Sequence, residues 1–247
     1  MQNLSFYLTL LLLSICNSVF SQNKTSVGHF YKVIVSHHIQ VTFIEGNEEA
    51  VIVEKNNETD EKLNIEVKNN TLRIYLDDAK EITKKEKKLK NGIEMKTPIY
   101  KGTVVTARIF YRSLNELSVR GEEIIVCESP LNVKKFKLKI YGQSIVNLDE
   151  VHFTELQTSM YGESILNIKS GAIKDQKIKA YGEGEINAPE VITQTIKITA
   201  FGESKFYVNA SKEIKITAYG EAFLKYKGNP EIKKGLVIGG LKISKSE

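Results

Sequence analysis

Ile140-Tyr-Gly-Gln-Ser144, Met160-Tyr-Gly-Glu-Ser164, Ala180-Tyr-Gly-Glu-Gly184, Ala200-Phe-Gly-Glu-Ser204 and Ala218-Tyr-Gly-Glu-Ala222 are one short unit written repeatedly, with glycines 20, 20, 20 and 18 residues apart. A weaker copy, Arg120-Gly121, precedes the first by 21 residues. A fixed period of this size marks stacked coils, in which each repeat buries its apolar face against its neighbours. Around the glycine the pattern alternates strictly. Four residues before it lie Leu117, Leu138, Thr158, Ile178, Ile198 and Ile216; two before lie Val119, Ile140, Met160, Ala180, Ala200 and Ala218. Four after lie Ile125, Val146, Leu166, Ile186, Phe206 and Leu224; six after lie Cys127, Leu148, Ile168, Ala188, Val208 and Tyr226. A period of two places all of these on one side of an extended chain.

The same parity runs through the glycine and through Ser144, Ser164, Gly184, Ser204 and Ala222, with Glu123 the exception. Large apolar residues yield to tiny ones and then return, so the glycine reads as the inside of a sharp bend. Each repeat becomes strand, corner, strand and a variable return such as Asp149–Glu155 or Pro189–Thr195. Stacking such coils gives parallel strands roughly 4.8 Å apart, with right-handed crossovers. The predicted fold is all-β: a right-handed parallel β-helix, or β-solenoid, with 20-residue coils.

The N-terminal third reads as a less regular form of the same surface. Its strand-like runs are Phe30–Val35, Ile39–Ile44, Ala50–Glu54, Leu63–Val67, Leu72–Leu76 and Val104–Tyr111. Between them, Lys80–Lys101 holds 8 Lys and 3 Glu and reads as a loop leaving the stack. It accounts for the whole net charge of +5, because the other 27 positive residues balance 27 negative ones. A neutral body with one basic loop argues against a nucleic-acid partner. Gly235–Ile243 breaks the period and reads as a cover over the last coil, where a bare sheet edge would otherwise recruit other strands.

Met1–Gln22 carries no charge and has an apolar centre too short to span a bilayer, followed by small residues at Val19-Phe-Ser21. Residues 1–21 read as an export signal cut after Ser21, and 22–247 as a single solenoid domain, with repeat structure from about 27 to 245. A lipobox at Leu13-Ser-Ile-Cys16 would place a bulky Ile before the acylated cysteine, which argues against anchoring through Cys16. No other segment could span a membrane. The mature chain keeps one thiol, Cys127, at an inward position, where it packs rather than reacts.

At Leu138–Gly228, ending in Tyr226-Lys-Gly-Asn-Pro230, the sequence resembles the head GIN domain family. The closing segment is similar to that family's Tyr-x-Gly-x-Pro element. The family's usual corner is Ser-Gly-Ser-Gly; here most copies read Tyr-Gly-Glu-Ser, which keeps the small inward positions and changes the outward ones. Its members are exported bacterial proteins, common in Bacteroidetes and described as autotransporter adhesins. The resemblance implies export to the periplasm, outer-membrane surface or medium, and adhesion, and it brings no catalytic residues.

Function, on this reading, lives on the outward positions. One before the glycine stands an aromatic column, Tyr141, Tyr161, Tyr181, Phe201 and Tyr219; one after it, Glu122, Gln143, Glu163, Glu183, Glu203 and Glu221. Lys137, Lys177, Lys197 and Lys215 form a cationic column, and Asn147, Asn167 and Asn187 an amide ladder. Columns like these arise wherever a solenoid stacks identical side chains. They also suit a surface glycan or another envelope protein, because rings pack on sugars and carboxylates accept their hydroxyl hydrogen bonds. The ligand-face candidates are therefore Tyr141, Tyr161, Tyr181, Phe201, Tyr219, Glu163, Glu183 and Glu203. A cation on the Glu column would lack the six to eight oxygens Ca²⁺ prefers.

Polysaccharide cleavage is the rival, since stacked Glu163/Glu183 or Glu183/Glu203 fall near the roughly 5 Å separation of a retaining pair. Nothing marks one rung as special, however. His37 and His38, adjacent on a strand, would face opposite sides and could not share a metal. No phosphate loop, zinc spacing or nucleophile elbow is present, so neither cofactor nor metal is predicted. The reading is an exported, non-catalytic binding or structural module of the cell surface.

Overall fold

The computed structural model describes residues 23–90 and 93–246. The expected export signal, residues 1–21, and with it Cys16, falls outside them.

Alternating apolar residues build three walls of parallel strand. The first wall holds, in stacking order, β6 (Thr71–Leu76), β2 (Lys32–Val35), β10 (Glu116–Gly121) and the second half of β12 (Leu131–Gly142). It continues through the matching parts of β13 (Ile145–Gly162), β14 (Ile165–Tyr181), β15 (Glu185–Gly228) and β16 (Glu231–Lys245). The second wall, past the glycine corner, holds β9 (Val105–Tyr111), β3 (Ile39–Glu45), β11 (Ile124–Cys127) and the segments beginning at Ile145 and Ile165. The return segments form the third wall. Leu131, Val151, Gly171 and Val191 stack in register there, as do Phe136, Leu156, Gln176 and Ile196. Apart from Tyr226 and the corner glycines, every inward position named above is buried, Cys127 among them, and burial pushes its thiol well above the usual range.

Stacking order and chain order part company at the N-terminal end. The first coil in sequence, β2 and β3, lies second in the stack. The coil beneath it is β6 and β9, which the chain reaches only after β4 (Ala50–Asn56) and β5 (Leu63–Lys68). Those two strands run antiparallel to β9 and β6, and β1 (Asn23–Ser26) runs antiparallel to β4. A parallel stack therefore ends on antiparallel strands.

Three expectations change. First, the inward parity does not pass through the glycine: Gly142 and Gly162 are exposed, and the chain turns inward again only at Ser144 and Ser164. The glycine is needed for a different reason. Its φ is +100 at Gly142, +107 at Gly162 and +113 at Gly182, where side chains are disfavoured. A Cβ would also point along the stack into the carbonyl of the preceding glycine, 2.5 Å away at Gly162 and 2.7 Å at Gly182. That carbonyl is already engaged, since Glu163 N–H donates to Gly142 O (2.9 Å) and Glu183 N–H to Gly162 O (3.0 Å).

Second, Gly235–Ile243 continues the stack instead of covering it. A one-residue register shift between Ile216 and Ala218 brings Gly239 onto Gly220 with φ +108, so β16 is one more coil. Third, Lys80–Lys101 contains strands: β7 (Lys85–Lys90) and β8 (Ile93–Pro98) form an antiparallel hairpin that is a sheet of its own. His37 and His38 are not on a strand either. They occupy the corner between β2 and β3, with His38 at φ +69, and both rings turn toward the inserted segment.

Candidate binding site

The outward columns follow one edge of the solenoid, the line of glycine corners. Fixed one residue before each glycine, the rings have no freedom to diverge and stack on one another. Tyr141, Tyr161, Tyr181, Phe201 and Tyr219 have successive centroids 4.8, 4.9, 4.9 and 4.8 Å apart and planes within 5°. The outer face of Tyr141 is covered by the Arg120 guanidinium at 5.1 Å, a cation–π contact. Both faces of every ring from Tyr141 to Phe201 are thus engaged by neighbours, which leaves edges and tyrosine hydroxyls to a ligand.

On the other side of the glycines runs the carboxylate column. Gln143 donates from Nε2 to Glu163 Oε2 (2.9 Å), which ties the lower end. Higher up, the carboxylates of Glu183, Glu203 and Glu221 line a groove of about 560 Å³, with Glu185, Lys205, Phe223 and Lys242 on its far side. Its floor is the run of small residues Gly184, Ser204 and Ala222. Gly240 stands where the next carboxylate would be, and Glu221 reaches into the space it leaves. Of the predicted ligand-face residues, Glu183 and Glu203 line this groove. Glu163 lies below it, and the rings face the other side of the corner. Lys205, Phe223, Lys242 and Gly240 were missed, and only the register shift in β16 brings the last two here.

The amide ladder forms as expected, Asn167 donating to Asn147 (2.8 Å) and Asn187 to Asn167 (3.0 Å). The lysine column is less regular, because Lys177 turns to Glu155. Gln157 Nε2 (2.8 Å) and Lys177 Nζ (3.0 Å) both donate to Glu155 Oε1, and Lys135 lies 3.5 Å from its other oxygen. The Gln157 hydrogen bond first, then Lys177, hold this carboxyl down at about 2 from an ordinary 4.5. A depressed folded pKa means the pair's stabilisation is complete above the unfolded value and is lost as pH falls through the folded one. Acid titration of stability by urea midpoints should show part of the loss between pH 4.5 and 2 disappear in Glu155→Gln. An unchanged profile would remove this carboxyl from the account.

Among the described residues no group of three or more His, Cys, Asp or Glu side chains is placed to hold a metal ion. Nor is any described helix long and apolar enough to cross a membrane, which says nothing of a β-barrel.

Stacked parallel coils with a glycine corner and repeated outward columns define a β-solenoid. The family model described as "Putative auto-transporter adhesin, head GIN domain" matches residues 29–230, and the chain belongs to that family. No curated protein matches it. Among solved structures, a "putative adhesin" from Bacteroides fragilis is 18% identical with a TM-score of 0.72, over 91% of this chain and 95% of that one. A "putative adhesin" from Parabacteroides merdae is 18% identical with a TM-score of 0.60, over 94% and 98%. A "putative lipid binding protein" from Parabacteroides distasonis is 17% identical with a TM-score of 0.63, over 91% and 96%. At these identities the likeness is one of fold.

Proposed function

We propose that the chain is an exported, non-catalytic binding module of the cell envelope, an adhesin whose contact site for a glycan is the groove lined by Glu183, Glu203 and Glu221. Its leader is residues 1–21 and its single domain 22–247. The observation that carries the reading is the run of three stacked carboxylates along one open groove over a floor of small residues. Carboxylates accept hydrogen bonds from sugar hydroxyls, Phe223 offers an apolar face, and Lys205 and Lys242 add donors. Adhesin names for the family and two of the structural neighbours support a surface-binding role.

A glycan array probed with the purified protein tests this, alongside a Glu183→Gln/Glu203→Gln/Glu221→Gln variant. Hydrogen bonds to charged groups contribute about 1.5–3 kcal/mol each, so the triple change should weaken binding by at least about 100-fold. Equal binding by the variant would sink the assignment of the groove. Turnover of any bound polysaccharide would sink the non-catalytic claim.

A further inference from the structure

The Lys-rich insertion occupies a telling place in the stack. It joins β6 to β9, so it springs from the corner of the bottom coil, in line with the glycines above. Its base is tightly held. His38 Nδ1 donates to Gly102 O (2.8 Å) on one side of the insertion, and His38 Nε2 meets Thr83 Oγ1 (2.7 Å) on the other. Ser36 Oγ donates to Lys80 O (2.7 Å), His37 Nε2 to Glu81 O (3.0 Å), and Tyr100 is buried against the His38 ring. Arg73 and Arg120 both grip the Glu81 carboxylate.

Beyond this base the hairpin is a sheet of its own. Lys85 through Leu89 and Glu94 through Lys96 are exposed on both faces, and neither strand pairs with the solenoid. Two strands with no packed face are marginal in water. Yet, among the described residues, three of the nine exposed large hydrophobics are here: Ile82 (78%), Leu89 (78%) and Met95 (48%). The negative charges of the insertion are all paired, Glu86 with Lys88 (2.7 Å) and Glu94 with Lys87 (3.0 Å) within it, and Glu81 with the two arginines of the solenoid. Lys85, Lys96 and Lys101 have no ion-pair partner among the described residues. An arm fixed at its root, with aliphatic side chains among uncompensated lysines, matches an interface that is apolar below and anionic above.

We propose that this hairpin is a membrane-contact arm that docks end-on against an anionic lipid surface, with Leu89 and Met95, which the register places on opposite faces of the hairpin, entering the headgroup boundary and the lysines lying against lipid phosphates. The exposed aliphatics favour a lipid surface over an acidic polysaccharide, which would use the lysines alone. The proposal does not depend on the carboxylate groove, which lies at the other end of the same edge.

The test is co-sedimentation of the purified protein with vesicles of phosphatidylcholine, alone or mixed with phosphatidylglycerol, over a range of salt. Binding is expected only to the mixed vesicles and should weaken as salt shortens the screening length. Lys85→Gln/Lys96→Gln/Lys101→Gln should weaken it about 100-fold, on the scale of a basic residue near a charged membrane. Leu89→Ser/Met95→Ser should weaken it by at least about tenfold, while Ile192→Ser, an exposed aliphatic of the third wall, should not change it. All variants should melt with the parent, because these side chains are exposed. Failure to bind the mixed vesicles overturns the proposal. So does vesicle binding that survives Leu89→Ser/Met95→Ser, and heparin binding as tight as vesicle binding would reassign the arm to an acidic polysaccharide.

Discussion

Gly182→Ala is expected to lower the melting temperature by about 10 °C, whereas Gly28→Ala should leave it unchanged or slightly higher. At Gly182 two costs add. The backbone sits at φ +113, a region whose occupation by a residue with a side chain costs about 1–3 kcal/mol. The new Cβ would stand 2.7 Å from Gly162 O and 3.2 Å from Gly162 C and Cα, backbone atoms fixed by the rung below. Forcing them apart adds about 1–3 kcal/mol and stretches the hydrogen bond that Gly162 O accepts from Glu183. In a domain of this length each kcal/mol is worth about 2–4 °C. Gly28 has no positive φ and only an ordinary 3.7 Å contact with Val67. Gly102→Ala isolates the backbone cost, since its φ is +56 but no atom lies within 4 Å of the Cβ position, and it should fall between the two. Thermal melts followed by circular dichroism distinguish the three. If Gly182→Ala and Gly102→Ala melt together, the stacked carbonyl is not what excludes a side chain from the corner.

Phe206→Ala should cost about 3–5 kcal/mol, the usual range for deleting a buried ring. The side chain is fully buried and stands in the column of Val146, Leu166, Ile186 and Leu224. The facing column narrows to Ala180, Ala200 and Ala218 at this level, so the ring fills space that no aliphatic neighbour can recover. Because coils are coupled mainly to nearest neighbours, the loss should be local. Hydrogen exchange should accelerate most between 186 and 226, well away from β2 and β3. Uniform acceleration along the whole chain would show that the stack unfolds as one unit and that the local reading is wrong.

The repeated half of the molecule was legible because its period is carried by side chains that must all face one way. Leu138, Thr158, Ile178 and Ile198 share a parity, and that parity is the burial. The hairpin left no such trace. Lys85–Leu89 and Glu94–Lys96 are exposed throughout, so no alternation marks them as strands. Gly171 was equally silent. It stands between Val151 and Val191 at φ +127, where a Cβ would strike the Val151 carbonyl, and nothing around it in the sequence repeats. The groove was half legible: Glu183 and Glu203 follow from the period, whereas Lys242 and Gly240 arrive only through the shift in β16.

The sequence by itself determined which residues face inward, where the corners fall and that the coils stack. Each of those is a local property of an extended chain, set by side-chain parity and by glycine. Only the tertiary structure decided that β6 and β9 lie beneath β2 and β3, that antiparallel strands close that end, and that the basic insertion stands on the glycine edge. Parity names the face a residue occupies but not the strand beside it. Which strand neighbours which is settled by backbone hydrogen bonds between distant segments, and these carry no residue-specific signature.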